Sequence, residues 1–549
     1  MQLSGADIIV RVLIEQGCGV VFGYPGGQIL NVYDSLYRYS DEIEHILTAH
    51  EQGAVHAADG YARATGKTGV VISTSGPGAT NLVTGIATAY LDSVPLIAIT
   101  GNVPTSQIGY DSFQEIDITG VTLPITKHNY FVSDVTKLAD TLREAFHLAA
   151  SGRPGPVLVD VPKDVQIAKC EYTPAPPVTP DPPQAAKDIR IQEAAEILNS
   201  CERPYIYFGG GLISGAAQEQ MLALAEKMDA VIGCSLMGIS GIPTDHPRFL
   251  GMEGMHGHYA SSMAMNKADC IVALGVRFND RATGDRKKFA THAKVVHIDI
   301  DGSELSKTVM ADGGLRADIR MTLEKLLPQI RQVSRPEWQA KVAELRVLER
   351  EYDDARPGLT PKNAVCTLNR FLGENTPVAT DVGQHQMWAA QYLNFRRSRR
   401  FISSGGLGTM GFGMGAAIGA SYGTGEKSVL ITGDGSFGMC LNELATAVTY
   451  GVPLVILLFN NGVLGMVRQW QTLFFDRHYS NTVLNRKTDF VALAEAFGAA
   501  GEAVNTVEGL EAALSRAFAA EVPYLIDCAI DRDEFVLPML PPGGSMDDI

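Results

Sequence analysis

Short apolar runs, each about as long as a β-strand, recur in three groups along the chain, and this pattern restricts the fold more than any other feature. The first group holds GVVIST (69–74), PLIAIT (95–100) and PVLVDV (156–161). The second holds PYIYFGGG (204–211), DAVIGCS (229–235), DCIVALG (269–275) and KVVHIDI (294–300). The third holds PVATDVG (377–383), SVLITGD (428–434), PLVILLFNN (453–461) and PYLIDCAID (523–531). Runs without polar alternation, separated by helical patterns, read as strands buried on both faces in parallel α/β units. Between the first two groups, EYTPAPPVTPDPPQAAK (171–187) carries six prolines and reads as an extended linker. A charged helical stretch near 337–353 and a loop with Pro357 and Pro361 separate the second group from the third. A chain of 549 residues also has to split its core among domains. The expected architecture is therefore three doubly wound α/β domains with mainly parallel sheets, two similar outer ones and a central one. The expected boundaries are 1–168, a Pro-rich linker 169–187, 188–335, a linker helix and loop 336–360, 361–535, and a tail 536–549 too rich in Pro and Gly to fold alone.

Composition excludes several classes of function. Net charge is −16, from 45 basic and 61 acidic residues, and no basic run interleaved with aromatics points to nucleic acid. The eight cysteines are scattered without a CxxC pair, which argues against a zinc site or a disulfide framework and suits a reducing compartment. MQLSGADIIVRVLIEQG reads as the start of a helix, not as a targeting segment, with Ser4 as cap and Asp7 three residues on. PLVILLF (453–459) is far shorter than a membrane span. A cytoplasmic location, with no membrane or nucleic-acid partner, is the expectation.

One turn poses a chemical question. LITGDGSFG (430–438) satisfies G-x-G-x-x-G with Gly433, Gly435 and Gly438 after a strand. A dinucleotide site would need an acid at the end of the next strand, to bind ribose hydroxyls. That strand ends in Asn460 and Asn461 instead, while an acid, Asp434, lies in the turn itself. A hard divalent cation resolves both oddities: Mg²⁺ takes a carboxylate, a neutral oxygen and phosphate oxygens. Asp434 and Asn461, at the carboxyl ends of neighbouring strands, would then anchor a metal that carries a diphosphate, with a helix N-terminus behind it. A capping aspartate followed by a turn asparagine is the alternative.

GDG followed 27 residues later by Asn461 is similar to the thiamin diphosphate motif of the pyruvate decarboxylase and acetohydroxyacid synthase superfamily. In that family the aspartate, the asparagine and one backbone carbonyl hold Mg²⁺; the carbonyl maps onto Val463. Such chemistry also needs a carboxylic acid facing the aminopyrimidine, in an apolar environment that keeps its proton available near neutral pH. The candidate is Glu51 in LTAHEQGAVHAADGYARATGK, after a short strand and opening a helix. Two decoys overlap it and fail. HEQGAVH has its second histidine at 56 where a zincin needs 54, and Gly60 to Gly66 is one residue too long for a Walker A loop. Together with GYPGG (23–27) and TSGPGATN (74–81), this region resembles the family's pyrimidine-binding domain, which faces the diphosphate domain of another subunit. The resemblance implies at least a dimer.

The likeness covers almost the whole chain and is closest to the catalytic large subunits of acetohydroxyacid synthase (acetolactate synthase). It rests on FGYPGG, RATGKTGV, TSGPGATNL, SFQEID, GRPGPVLVDVPKDV, MHG, TDVGQHQMW, GGLGTMGFG, GDGSFGM, GMVRQWQ and VLPMLPPG. The resemblance implies that Met466 holds the cofactor bent and that Trp470 lines the acceptor pocket, favouring 2-ketobutyrate by apolar contact. It places Phe113 and Gln114 beside the reacting carbon and Lys163 at the cleft mouth. The alternatives are an ordinary core or packing role for Met466, Trp470 and Phe113, a capping role for Gln114 and a solvent role for Lys163. It assigns Gly26, Val382, Gly383, Gln384, His385, Gly408, Met410, Gly433, Gly435, Ser436, Asn461, Gly465 and Met466 to thiamin diphosphate, with a buried structural role open for His385. The middle block resembles the family's FAD-binding domain. Arg277 and Arg281 in GVRFNDR, with Arg153, His256, Asp299 and Asp318, would contact the flavin, Arg277 also serving the acceptor carboxylate. Gly209, Gly210, Gly211, Gly275 and Ile300 join this set. The chain departs from the family spelling at Asn279, where aspartate is usual, and at Gln28, where alanine is common. These departures bear on flavin affinity and on the substrate channel.

The reaction implied is decarboxylation of pyruvate on thiamin diphosphate and transfer of the hydroxyethyl unit to a second 2-keto acid. The product is 2-acetolactate or 2-aceto-2-hydroxybutyrate, at the first common step of branched-chain amino acid biosynthesis. Mg²⁺ and a structural FAD complete the cofactors, and a small regulatory subunit is a plausible partner. A flavin-dependent pyruvate oxidase is the nearest rival. A non-catalytic subunit of the same fold is the rival of another class.

Overall fold

The structure, a computed structural model, describes residues 1–352, 356–541 and 543–545. Three six-stranded parallel sheets follow one another along the chain. In the first part, β1 (Gln2–Ser4), β2 (Val20–Tyr24), β3 (Glu44–Leu47), β4 (Gly69–Ser73), β5 (Leu96–Asn102), β6 (His128–Phe131), β7 (Pro156–Pro162) and β8 (Lys169–Glu171) form two sheets. The large one has the order β3-β2-β4-β5-β7-β6, all parallel. β1 pairs antiparallel with β8, so the first residues of the expected linker are a strand. The N-terminal helix, Gly5–Glu15, is capped as its sequence implies: Ser4 Oγ accepts from Asp7 N, and the Ser4 hydroxyl donates to Asp7 Oδ2.

The central sheet holds β9 (Pro204–Phe208), β10 (Val231–Cys234), β11 (Phe249–Met252), β12 (Cys270–Leu274), β13 (Lys294–Asp299) and β14 (Gly313–Arg316). Its order, β11-β10-β9-β12-β13-β14, reverses between its first and fourth strands, as in dinucleotide-binding folds. It belongs to a compact unit made of Pro182–Glu374, Gln386–Phe401 and Asp533–Ile549. The charged helix, Pro336–Glu349, is part of this unit: Trp338 is buried and its indole N–H donates to Pro204 O at 3.1 Å. The tail folds onto the same unit, with Val536 and Leu540 buried and Leu540 N donating to Met255 O.

The third sheet holds β15 (Val378–Thr380), β16 (Phe401–Ile402), β17 (Ser428–Gly433), β18 (Leu454–Asn460), β19 (Ala500–Val504) and β20 (Tyr524–Ala529), in the order β16-β15-β17-β18-β20-β19. Strand for strand this repeats the topology of the first sheet. Most of it joins that sheet in a second compact unit, Met1–Asp181 with Asn375–His385 and Ile402–Arg532. Two helices rich in small residues, Glu51–Thr65 and Gly413–Thr424, form the seam of this unit. They approach backbone to backbone. A Cβ on Gly60 would stand 2.2 Å from Ala416 O, and one on Gly419 only 1.8 Å from Ala57 O. Arg63 locks the seam from inside, paired with Asp59 and Asp92 and donating to Ser403 O at 2.8 Å. Asp92 in turn accepts from the backbone N–H of Gly405 and Gly406. Among the described residues no helix is long and apolar enough to cross a membrane.

Candidate active site

In an open α/β sheet, ligands bind beyond the carboxyl ends of the strands, at the point where strand order reverses. In the third sheet that point lies between β15 and β17, which pair in register from Val378↔Val429 to Thr380↔Ile431. β15 runs into Val382–His385 and β17 into Asp434, and the next strand, β18, delivers Asn461 beside them. The structure thus brings Asp434 and Asn461 to the ends of adjacent strands, with Gly433 opposite Phe459.

The turn is built tightly around small residues. Gly433 lies against the His385 ring, where a Cβ would stand 3.0 Å from Nδ1, and Gly435 lies under Leu464, with Met410 alongside. Ser436 Oγ donates to Val382 O at 2.9 Å. Gly465 leaves room for Gln384, whose amide donates to Gln469 Oε1 at 2.9 Å, both side chains being buried. Gly408 and Gly411 adopt positive φ (67° and 90°), and Gly411 N donates to the buried Asp381. Residues 382–385, 408–411, 433–436 and 461–466 therefore form one cluster, with Met466 and Trp470 on the helix Gly465–Phe474 that leaves it. Trp470 stacks edge-on against Phe474, with ring centres 5.6 Å apart. His385 is buried, and burial holds its imidazole down at about 3, neutral at physiological pH.

Asp434 is buried, and burial pushes its carboxyl up to about 6. Its Oδ2 accepts from Gly462 N at 3.1 Å, and Asn461 Oδ1 accepts from Val463 N at 3.1 Å. A buried carboxylate with an amide oxygen beside it suits a hard cation, which would restore the ionised form. Among the described residues no three His, Cys, Asp or Glu side chains are grouped to hold a metal.

In the first sheet the corresponding point lies between β2 and β4. There Gly26 packs on Thr74, where a Cβ would stand 2.4 Å from Cγ2. Glu51 opens its helix, capped by His50, whose Nδ1 accepts from Gln52 N. Glu51 is half-buried in this chain, not enclosed by apolar groups, and Asn81 Nδ2 donates to its Oε2 at 2.9 Å. The turn before it is held by Glu443, from the third sheet's side of the unit. Its buried carboxylate accepts from Ala49 N (3.1 Å) and His50 N (2.9 Å) and from Thr446 Oγ1 (2.6 Å). Gly53 leaves the space that carboxylate fills. Neither Asn81 nor Glu443 was legible as a partner of this turn. Asn81 ends the TSGPGATN stretch, but Glu443 lies 392 positions after Glu51 (443 minus 51) in a helix start without a distinctive pattern. Lys163 Nζ donates to Gly27 O at 3.2 Å, Phe113 is 83% exposed, and Gln114 adopts a positive φ of 60°.

In the central unit, several residues expected to face flavin have local partners. Asp318 caps the helix Ile319–Leu326 by accepting from Met321 N, and Asp299 closes a turn by accepting from Asp301 N. Gly209 and Gly211 pack on Gly275, where added Cβ atoms would stand 2.5–2.6 Å from its backbone. Gly210 has more room, and Ile300 is 39% exposed. Asn279 accepts from Ala282 N as the cap of the helix Asp280–Thr283, a task aspartate or asparagine performs equally. Arg277 is half-buried, Arg281 contacts Met255 Sδ, and burial holds His256 at about 4. Arg153 lies in the other unit and donates to Ser93 Oγ.

Comparison with known proteins identifies the family. Three models of thiamine pyrophosphate enzymes match the chain: the N-terminal TPP binding domain over 3–121, the central domain over 191–326 and the C-terminal TPP binding domain over 381–528. The last of these spans the segments 382–385, 408–411, 433–436 and 461–466. At the level of whole chains, the acetolactate synthase isozyme 2 large subunit of Escherichia coli is 45% identical, over 99% of this chain and 98% of its own length. The probable acetolactate synthase large subunit of Methanocaldococcus jannaschii is 44% identical over 100% and 95%. The acetolactate synthase large subunit of Corynebacterium glutamicum is 43% identical over 100% and 90%. The chain belongs to the acetolactate synthase large-subunit family of thiamine pyrophosphate enzymes.

Proposed function

We propose that this chain is the catalytic subunit of an acetolactate synthase that joins two 2-keto acids, with pyruvate as donor and pyruvate or 2-ketobutyrate as acceptor. The observation that carries the reading is the placement of Asp434 and Asn461 on adjacent strand ends at the switch point, in a chain 45% identical to a synthase of that name. Thiamin diphosphate, when bound, supplies the carbon nucleophile and the electron sink that allow CO₂ to leave. Asp434, Asn461 and the Val463 carbonyl would hold Mg²⁺ on the diphosphate, and the first residues after Gly433 would offer backbone N–H groups to it. Glu51 would exchange a proton with the aminopyrimidine. Met466 would support the bent cofactor, and Trp470 would give the acceptor's alkyl group an apolar wall, worth about 1–3 kcal/mol per methylene. Phe113, Gln114 and Lys163 would line the approach. Val382, Gln384 and His385 would contact the cofactor.

FAD would sit on the central sheet, whose strand order suits a dinucleotide, with Arg277 and Arg281 as its guanidinium partners. Arg277 would also have a fork to offer an acceptor carboxylate. The partial exposure of Glu51 supports a homo-oligomer in which a second copy completes its surroundings. The "large subunit" in the names of the relatives supports a small partner chain. The test is to supply pyruvate and 2-ketobutyrate with Mg²⁺, thiamin diphosphate and FAD and to quantify products. Acetolactate and acetohydroxybutyrate are expected. Acetate, acetyl phosphate or acetaldehyde without either would overturn the ligation.

A further inference from the structure

The two oxygens of Glu51 lie in different surroundings. Oε2 accepts the Asn81 amide at 2.9 Å. Oε1 faces Gly78, where a Cβ would stand 3.3 Å from it and closer still to Thr74 Cγ2 and Ser73 Oγ, so only glycine fits beside this oxygen. The carboxyl group is also fixed from behind. The preceding turn is bound by Glu443 through Ala49 N and His50 N, and His50 caps the helix that Glu51 opens. The helix entry is thereby fixed, and the Asn81 hydrogen bond orients the carboxyl group upon it.

We propose that Asn81 is a positioning residue that selects which oxygen of Glu51 carries the proton. This rests on the reading of Glu51 as the acid–base group toward the cofactor. Oε2 is committed to accepting the Asn81 N–H, so the exchangeable proton resides on Oε1, the oxygen that faces Gly78. When Oε1 gives its proton to a ring nitrogen, the O–H bond breaks and an N–H bond forms. The carboxylate left behind keeps the Asn81 hydrogen bond, which stabilises its charge. Asn81 thereby gives the transfer one direction.

The test titrates Glu51 in the cofactor-free protein, through carboxyl ¹³C resonances of labelled glutamate assigned by loss in Glu51→Gln. The same variants, loaded with thiamin diphosphate and Mg²⁺, are followed for the pH profile of C2 proton exchange. Asn81→Ala removes the donor and is expected to raise the Glu51 midpoint by about one pH unit. Asn81→Asp places a second carboxylate there and should raise it further, the exchange profile moving in the same direction. A midpoint and profile unmoved in both variants, while Glu51→Gln still slows exchange, overturns the role of Asn81 and leaves that of Glu51 intact. Normal exchange in Glu51→Gln would remove the acid–base reading itself and the proposal with it.

Discussion

The two outer sheets have the same strand order and put opposite chemistry at the same place. In both, order reverses between the first and third strands. In both, glycine-rich segments follow those strands and let backbones close in: Gly26 on Thr74 in one, Gly433 on His385 in the other. Beyond this the sheets diverge. The first presents a single half-buried glutamate with a neutral amide on one oxygen. The third presents a buried carboxylate flanked by amide and backbone groups. Topology decides where a crevice opens, and a few side chains at strand ends decide what it can hold.

Separating the two chemistries by mutation is the most direct way to break this comparison. Glu51→Gln should leave thiamin diphosphate affinity near normal and slow C2 proton exchange by about 10²–10⁴. Equal losses of affinity and exchange would mean that the first sheet serves binding too. Asp434→Ala should do the opposite, weakening Mg²⁺-dependent cofactor binding by more than about 100-fold. Isothermal titration with and without Mg²⁺ reads this, and normal affinity would remove the metal assignment. If the two halves serve each other across a homo-oligomer, co-refolded mixtures of the two inactive variants should regain activity that neither has alone.

Much of this was legible in the sequence because it rests on local signals. Strand-length apolar runs gave the sheets, and an aspartate in a glycine turn with an asparagine after the next strand gave the cluster around β17 and β18. What the sequence hid depends on contacts between distant segments. Asn279, read as a departure bearing on flavin affinity, also caps a helix. Asp318 and Asp299 each give one carboxylate oxygen to a nearby backbone N–H. The helix Pro336–Glu349, read as a linker, buries Trp338 against the central unit, because an indole in a charged stretch has no periodicity to betray its destination. Glu443 is invisible for the same reason: its function is the turn at residues 49 and 50.

The seam between the two sheets offers a test of a different kind. The helices Glu51–Thr65 and Gly413–Thr424 meet where no side chain fits, so Gly419→Ala must push Ala57 aside. Backbone cannot yield as a flexible side chain can, and a loss of about 3 kcal/mol in unfolding free energy is expected, read by urea denaturation. Gly425→Ala on the same helix end has open space around it but a positive φ of 69°, so its cost is purely one of backbone conformation and should be smaller, about 1 kcal/mol. Equal losses would mean that the seam is not closely packed.

The smallest expected effect concerns a feature the two sheets share. The last strand of each in chain order, β7 and β20, carries an aspartate that accepts from the neighbouring strand. Asp160 takes Thr100 Oγ1 and Asn102 Nδ2, each at 2.6 Å, and Asp527 takes Asn460 Nδ2 at 3.2 Å. Burial raises both carboxyls, Asp160 to about 7. A folded-state value above the unfolded one means that the native protein binds more protons between the two. Stability from Asp160 is therefore full below about pH 4 and is lost as pH rises toward 7. Asp160→Asn should flatten that slope, removing about 1–3 kcal/mol of pH dependence across the window. Asp527→Asn should flatten it less, because Asp527 is only partly buried and its acceptor contact is longer. Urea midpoints from pH 4 to 8 measure both. If the two variants flatten the curve equally, the first sheet is no drier than the third at this position, and the contrast between the halves is confined to the strand ends where the chemistry lies.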